Sequence, residues 1–107
     1  RPLDAQYGTM RKDRPEAARW RARVSGRVQG IGYRWFVRET ALSSGVTGWV
    51  RNLPGGEVEL EAQSDARTLQ RFAETLRKGH PYARVDGFER SALDPVEGDE
   101  GFEIRHG

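Results

Sequence analysis

An α+β domain with the element order β-α-β-β-α-β and a short final strand is what this 107-residue sequence predicts. Three observations lead there. Several short runs alternate apolar and polar residues at period two, two longer runs carry apolar residues at helical spacing, and glycine- or proline-containing turns separate the runs. Each strand has one apolar face, so both helices should cover the same side of a mostly antiparallel sheet.

Residues 1–18 mix Pro2, Gly8 and Pro15 with charge and show no sustained periodicity, the composition of a flexible basic tail. The folded domain is then residues 19–107. Its first strand places Trp20, Ala22, Val24 and Val28 on one parity and Arg21, Arg23, Ser25 and Arg27 on the other. A glycine-rich loop follows, and Tyr33, Phe36, Val37, Thr40 and Ala41 make one helical stripe ending at Ser43-Ser44-Gly45. Val46 to Asn52 is the second strand, and Leu53-Pro54-Gly55-Gly56 turns it into a third, with Val58, Leu60 and Ala62 inward. Glu57, Glu59 and Glu61 alternate with them and describe a solvated outer face. Ser64 or Asp65 caps the second helix, whose stripe is Ala66, Leu69, Phe72, Ala73 and Leu76, and Gly79 closes it. Ala83, Val85 and Phe88 mark a fourth strand with an irregularity near Gly87. An acidic loop over residues 93–101 leads to a last short strand carrying Phe102 and Ile104.

Composition narrows the function classes. Hydrophobic residues make up 36% and charged residues 32%, which suits one small domain with a modest core. Cysteine is absent, excluding disulfides and thiolate chemistry. No apolar run approaches the roughly 20 residues that span a bilayer, and no apolar leader core opens the chain, so a cytoplasmic location is expected. The sequence pI of about 9.4 suggests an anionic partner, but the charge is uneven. Residues 1–23 hold seven basic and three acidic side chains, a net +4; with +2 for the whole chain, residues 24–107 carry −2. The basic pI therefore says little about what the domain binds.

The chemically suggestive stretch is Gly26-Arg27-Val28-Gln29-Gly30-Ile31-Gly32-Tyr33-Arg34. A glycine loop opening into a helix can hold an anion, because unpaired amides and the positive end of the helix dipole point the same way. Arg34 in the first helical turn could add a guanidinium fork. A purely structural turn would use the same glycines. Neither nucleotide fingerprint fits: no Lys-Ser or Lys-Thr completes a Walker loop, and Trp35 stands where the dinucleotide pattern starting at Gly30 needs glycine.

This loop resembles the first signature of the acylphosphatases, Gly-x-Val-Gln-Gly-Val-x-Phe/Tyr-Arg, with Ile31 for the commoner valine. Gly48-Trp49-Val50-Arg51-Asn52 followed by Gly56-x-Val58 is similar to their second signature, and Pro81-x-Ala83-Arg84-Val85 also matches. The likeness runs from about Arg19 to His106; Ser64 departs from it where the second signature usually ends in glycine. The resemblance implies a ferredoxin-like sandwich that hydrolyses the carboxyl–phosphate bond of acyl phosphates without metal or cofactor. It implies that Gln29, Gly30, Ile31, Gly32, Tyr33 and Arg34 bind the phosphate through loop amides and the Arg34 side chain. Asn52 would position the attacking water. The expected partner is a small acyl phosphate, with no nucleic acid or membrane and a monomeric chain. The alternative reading is a carbamoyl- or acyl-phosphate-binding regulatory domain without turnover, since such domains also occur inside larger enzymes.

Other residues invite blander readings. Asn52 could simply form the turn before Leu53-Pro54. Trp35, Trp49 and Tyr33 are expected to pack in the core or at an edge. His80 and His106 lack arranged carboxylates and make a poor metal site. An RNA-binding module of the same topology would need aromatics on the outward sheet face, where Glu57, Glu59 and Glu61 stand instead.

Overall fold

The computed structural model describes residues 16–106. The tail expected over residues 1–18 lies, up to position 15, outside the described residues. Strand β1 (Ala17–Arg27) is followed by helix α1 (Tyr33–Ser44), β2 (Thr47–Asn52), β3 (Val58–Asp65), α2 (Ala66–Lys78), β4 (Arg84–Leu93) and β5 (Phe102–Arg105). β1 begins three residues before Trp20: Ala17 and Ala18 pair with Asp65 and Ser64, so two residues assigned to the tail belong to the sheet.

The sheet order is β4-β1-β3-β2-β5. β1 pairs antiparallel with β3 and β4, β2 antiparallel with β3, and β5 parallel with β2. This is the ferredoxin-like α+β arrangement with a fifth strand on one edge. Register carries the inward parity straight across it: Val24 faces Val58, Ala22 faces Leu60, Leu60 faces Val50, and Val50 faces Ile104. These side chains and Val37, Ala41, Leu69, Phe72 and Leu76 from the helices form one core. The Tyr33 hydroxyl ties the helices by donating to the Leu76 carbonyl at 2.9 Å. Burial pushes that phenol well above its ordinary pKa, so it stays neutral.

Local chemistry sets the boundaries. Gly45 ends α1 in the left-handed conformation, its amide donating to the Ala41 carbonyl. Asp65, rather than Ser64, caps α2: its carboxylate accepts from the Thr68 amide and hydroxyl, both at 2.8 Å. The expected irregularity near Gly87 is a register shift, since Ser25 faces Gly87 and Gly26 faces Val85, leaving Asp86 unopposed. Gly48 has φ of 144°, and a Cβ there would lie 1.9 Å from the Glu61 carbonyl oxygen of the neighbouring strand.

The outward sheet face is not the solvated carboxylate row that alternation suggested. Glu59 is only 4% exposed, and the nearby Arg19 only 6%. Arg19 bridges Glu61 and Asp99, each at 2.9 Å, and also donates to Gln63. Arg21 reaches Glu61 at 2.7 Å, and Arg51 reaches Glu59 at 2.7 Å. Trp49 is buried on this face with the guanidinium groups of Arg51 and Arg105 at 5.3 and 4.9 Å from its ring centroid. β1 supplies arginines opposite the β3 glutamates, so the like charges of each strand neutralise across the pair. With Arg19, Arg21 and Arg23 inside the fold, its charge also changes: residues 1–15 hold four basic and two acidic residues, leaving 16–107 neutral rather than acidic.

Two outcomes follow from this packing. Gly48→Ala should destabilise the domain by more than about 3 kcal/mol in urea unfolding, because both backbone conformation and the Glu61 carbonyl oppose a Cβ. Burial disfavours the ionised form of Glu61, but hydrogen bonds from Arg21 and Arg19 outweigh it and hold the carboxyl below its ordinary value of 4.5. A depressed carboxylate contributes stability that is complete above that value and is lost as the pH falls through the folded one. Below pH 4.5 the wild type should therefore lose stability more steeply than Glu61→Gln; parallel slopes would contradict the assignment.

Candidate active site

The site forms where the inward rows of the sheet end under the first turn of α1. Asn52 has the inward parity of Gly48 and Val50, and it is the last residue of β2, facing Val58. β5 runs alongside with Ile104 opposite Val50 and Arg105 opposite Arg51. The next residues are Asn52 on one strand and His106 on the other. Val28, 1% exposed, anchors the glycine loop after β1.

Gly30 and Gly32 have φ of 76° and 83°, and a Cβ at either would meet nothing within 4 Å. The left-handed backbone, not crowding, is what demands glycine there. The space in front of the loop is open. α1 begins with neither a side-chain cap nor an acidic residue in its first turn. Among the described residues the amides from Gly30 to Trp35 make no hydrogen bond, whereas the Phe36 amide is already paired with the Gly32 carbonyl. An arc of free donors at a helix N-terminus has the chemistry to hold an anion.

Arg34 is half-buried and, among the described residues, has no ion-pair partner. Glu39, its obvious candidate, is taken by Arg38 at 2.8 Å. The Asn52 Oδ1 atom is buried without a hydrogen-bond partner, an expensive state for an amide oxygen unless a ligand or water donates to it. These groups share one cavity of about 420 Å³, lined by Val28, Gly30, Gly32, Tyr33, Arg34, Trp35, Asn52, Ile104 and His106.

Of the residues singled out from sequence, Gly30, Gly32, Tyr33, Arg34 and Asn52 meet at this cavity, while Gln29 and Ile31 do not line it. The Gln29 side chain does something else. Its Nε2 donates to the carbonyls of Leu53 and Glu57, both at 2.8 Å, tying the glycine loop to the turn that follows Asn52. Tyr33 is core, as expected, with its hydroxyl engaged away from the cavity. Trp35 is not packed but 61% exposed at the cavity. His80 sits among Phe36 and Tyr82, its Nδ1 accepting from the Tyr82 amide. His106 and Ile104 line the cavity although sequence reasoning gave them no role; the inward parity of β5 was the available signal. No three His, Cys, Asp or Glu side chains gather as a metal site among the described residues.

A sequence model of the acylphosphatase family matches residues 20–104, most of the chain and both arms of this cavity. The chain belongs to the acylphosphatase family. An acylphosphatase of Anaeromyxobacter dehalogenans is 47% identical over 92 residues, covering 83% of this chain and 98% of that protein. One from Clostridium beijerinckii is 36% identical over 88 residues, covering 82% and 98%. The crystal structure of the acylphosphatase from Bacillus subtilis superposes with a TM-score of 0.79 at 35% identity, over 82% of this chain and 98% of that one. Membership makes the protein an acylphosphatase-type hydrolase acting on acyl phosphates.

The Gln29 bridge can be tested apart from activity. Gln29→Ala should cost about 1 kcal/mol in unfolding, because both carbonyls keep another donor. Amide exchange should quicken at residues 53–57, and unchanged exchange there would remove the bridging role.

Proposed function

We propose that the cavity hydrolyses acyl phosphates by direct attack of water on phosphorus, with the loop amides and Arg34 holding the phosphoryl group and Asn52 aiming the water. The observation that carries this reading is the meeting of unpaired donors and one unpaired acceptor in a single cavity. Donors at Gly30 to Trp35 and the Arg34 fork suit the equatorial phosphoryl oxygens, where charge accumulates in the transition state. The Asn52 Oδ1 atom accepts one hydrogen of the water and leaves an oxygen lone pair free for phosphorus.

In the step itself, the water oxygen forms a bond to phosphorus while the bond from phosphorus to the acyl oxygen breaks. The electron pair of the broken bond stays with the carboxylate, and the water's protons pass to phosphate oxygens and solvent. A carboxylate is a good leaving group, so no general acid is needed. Among the described residues no carboxylate lines the cavity to act as a base, and the substrate phosphate takes the proton. The protein's contribution is position and charge stabilisation.

Hydrolysis of benzoyl phosphate in the presence of a chelator tests the reading. Wild type should turn over, while Arg34→Lys and Asn52→Ala should each lose about 10²–10³ in kcat with the fold intact by circular dichroism. Lysine keeps the charge but not the planar fork. The pH profile should follow ionisation of the substrate phosphate. A folded wild type that binds inorganic phosphate without turnover would instead favour the regulatory-domain alternative.

A further inference from the structure

Phosphate and water account for only part of the cavity. At about 420 Å³ it falls in the range of small-molecule sites, about 300–1,000 Å³, and exceeds what a tetrahedral phosphate fills. Its polar lining is spoken for by the phosphoryl group and the water. Val28 and Tyr33 are each 1% exposed and offer a floor rather than a contact surface. What remains accessible is Trp35, Ile104 and His106. Trp35 immediately follows Arg34 and is 61% exposed, an unusual state for so large an apolar ring unless something packs on it. Ile104 and His106 have the inward parity of Phe102, which is buried beneath the helices, so β5 turns both toward the cavity.

We propose that Trp35, with Ile104 and His106, forms the subsite for the acyl group and selects planar aromatic acyl phosphates over small aliphatic ones. The inference rests on the hydrolytic reading for its substrate class but makes a separate claim about which acyl group is preferred. An indole, an imidazole and an isoleucine side chain at one cavity offer aromatic and apolar surface with no carboxylate or lysine among the described lining residues. An arene stacks on such a surface, whereas an acetyl group has too little area to use it. Because these contacts lie away from phosphorus, they act on binding more than on the chemical step.

Calorimetric titration with two non-hydrolysable probes, benzoylphosphonate and acetylphosphonate, reads the subsite directly. Wild type should bind the benzoyl probe about three- to tenfold more tightly, the size of one aromatic contact. In Trp35→Ala the preference should fall below about twofold, Trp35→Phe should restore most of it, and His106→Ala should lower it in part. Turnover of benzoyl and acetyl phosphate is measured in parallel. A wild type without turnover but with a preference that Trp35→Ala abolishes would end the hydrolytic reading and leave the subsite standing. A wild type without the preference, or a Trp35→Ala variant that keeps it, would overturn the subsite whatever the turnover.

Discussion

The constraint on which the site depends is the Gln29 side chain, whose amide spans two carbonyls of the β2–β3 turn. Phosphoryl transfer tolerates little misplacement, because groups 1 Å out of position forfeit much of the rate. Here the glycine loop and Asn52 lie on different segments, with most of α1 and β2 between them in the chain. Local backbone geometry alone could not keep them in register. One primary amide, donating both hydrogens across the gap, joins the glycine loop to the Leu53–Glu57 turn that follows Asn52.

The two faces of the sheet share the labour unequally. The helix-covered face supplies the apolar core and, where its rows run out, the cavity. The opposite face is held by charge: Arg19 is buried with Glu61, Asp99 and Gln63 as partners, and two arginines pack on the Trp49 ring. Buried charges of this kind are costly unless every donor is met. The alternating sign of β1 and β3 meets them, and it also makes a slipped register expensive, since one step would turn the arginines into the core.

How much of this was legible in the sequence follows the range of each interaction. The element order, the Gly45 terminus and the Gly87 irregularity rest on neighbours within a few residues, and the one-dimensional pattern contains them. That Arg34, Asn52 and the two loop glycines would meet in one place was legible through two signatures and the physics of a helix N-terminus. The Glu57, Glu59 and Glu61 row was misread because alternation reports a face, not what covers it; the covering arginines come from another strand. Trp35 was misplaced for a related reason. Its position two residues past Tyr33 turns it away from the core, which the stripe Tyr33, Phe36, Val37 already implied. The Gln29 side chain's bridge was not legible, because it reaches residues 24 and 28 positions away. His106 depended on the pairing of β5 with β2, a parallel contact that no local pattern announces.

That parallel pairing has a kinetic meaning. The cradle comes from residues near position 30, but the cavity wall beside Asn52 comes from residues 104 and 106, the far end of the described chain. Contacts of such sequence separation are slow to form, because loop-closure entropy is spent before they reward it. The loop is therefore synthesised early and stays incomplete as a site until β5 docks. Appearance of binding during refolding should report the docking of β5 beside β2 rather than formation of the loop.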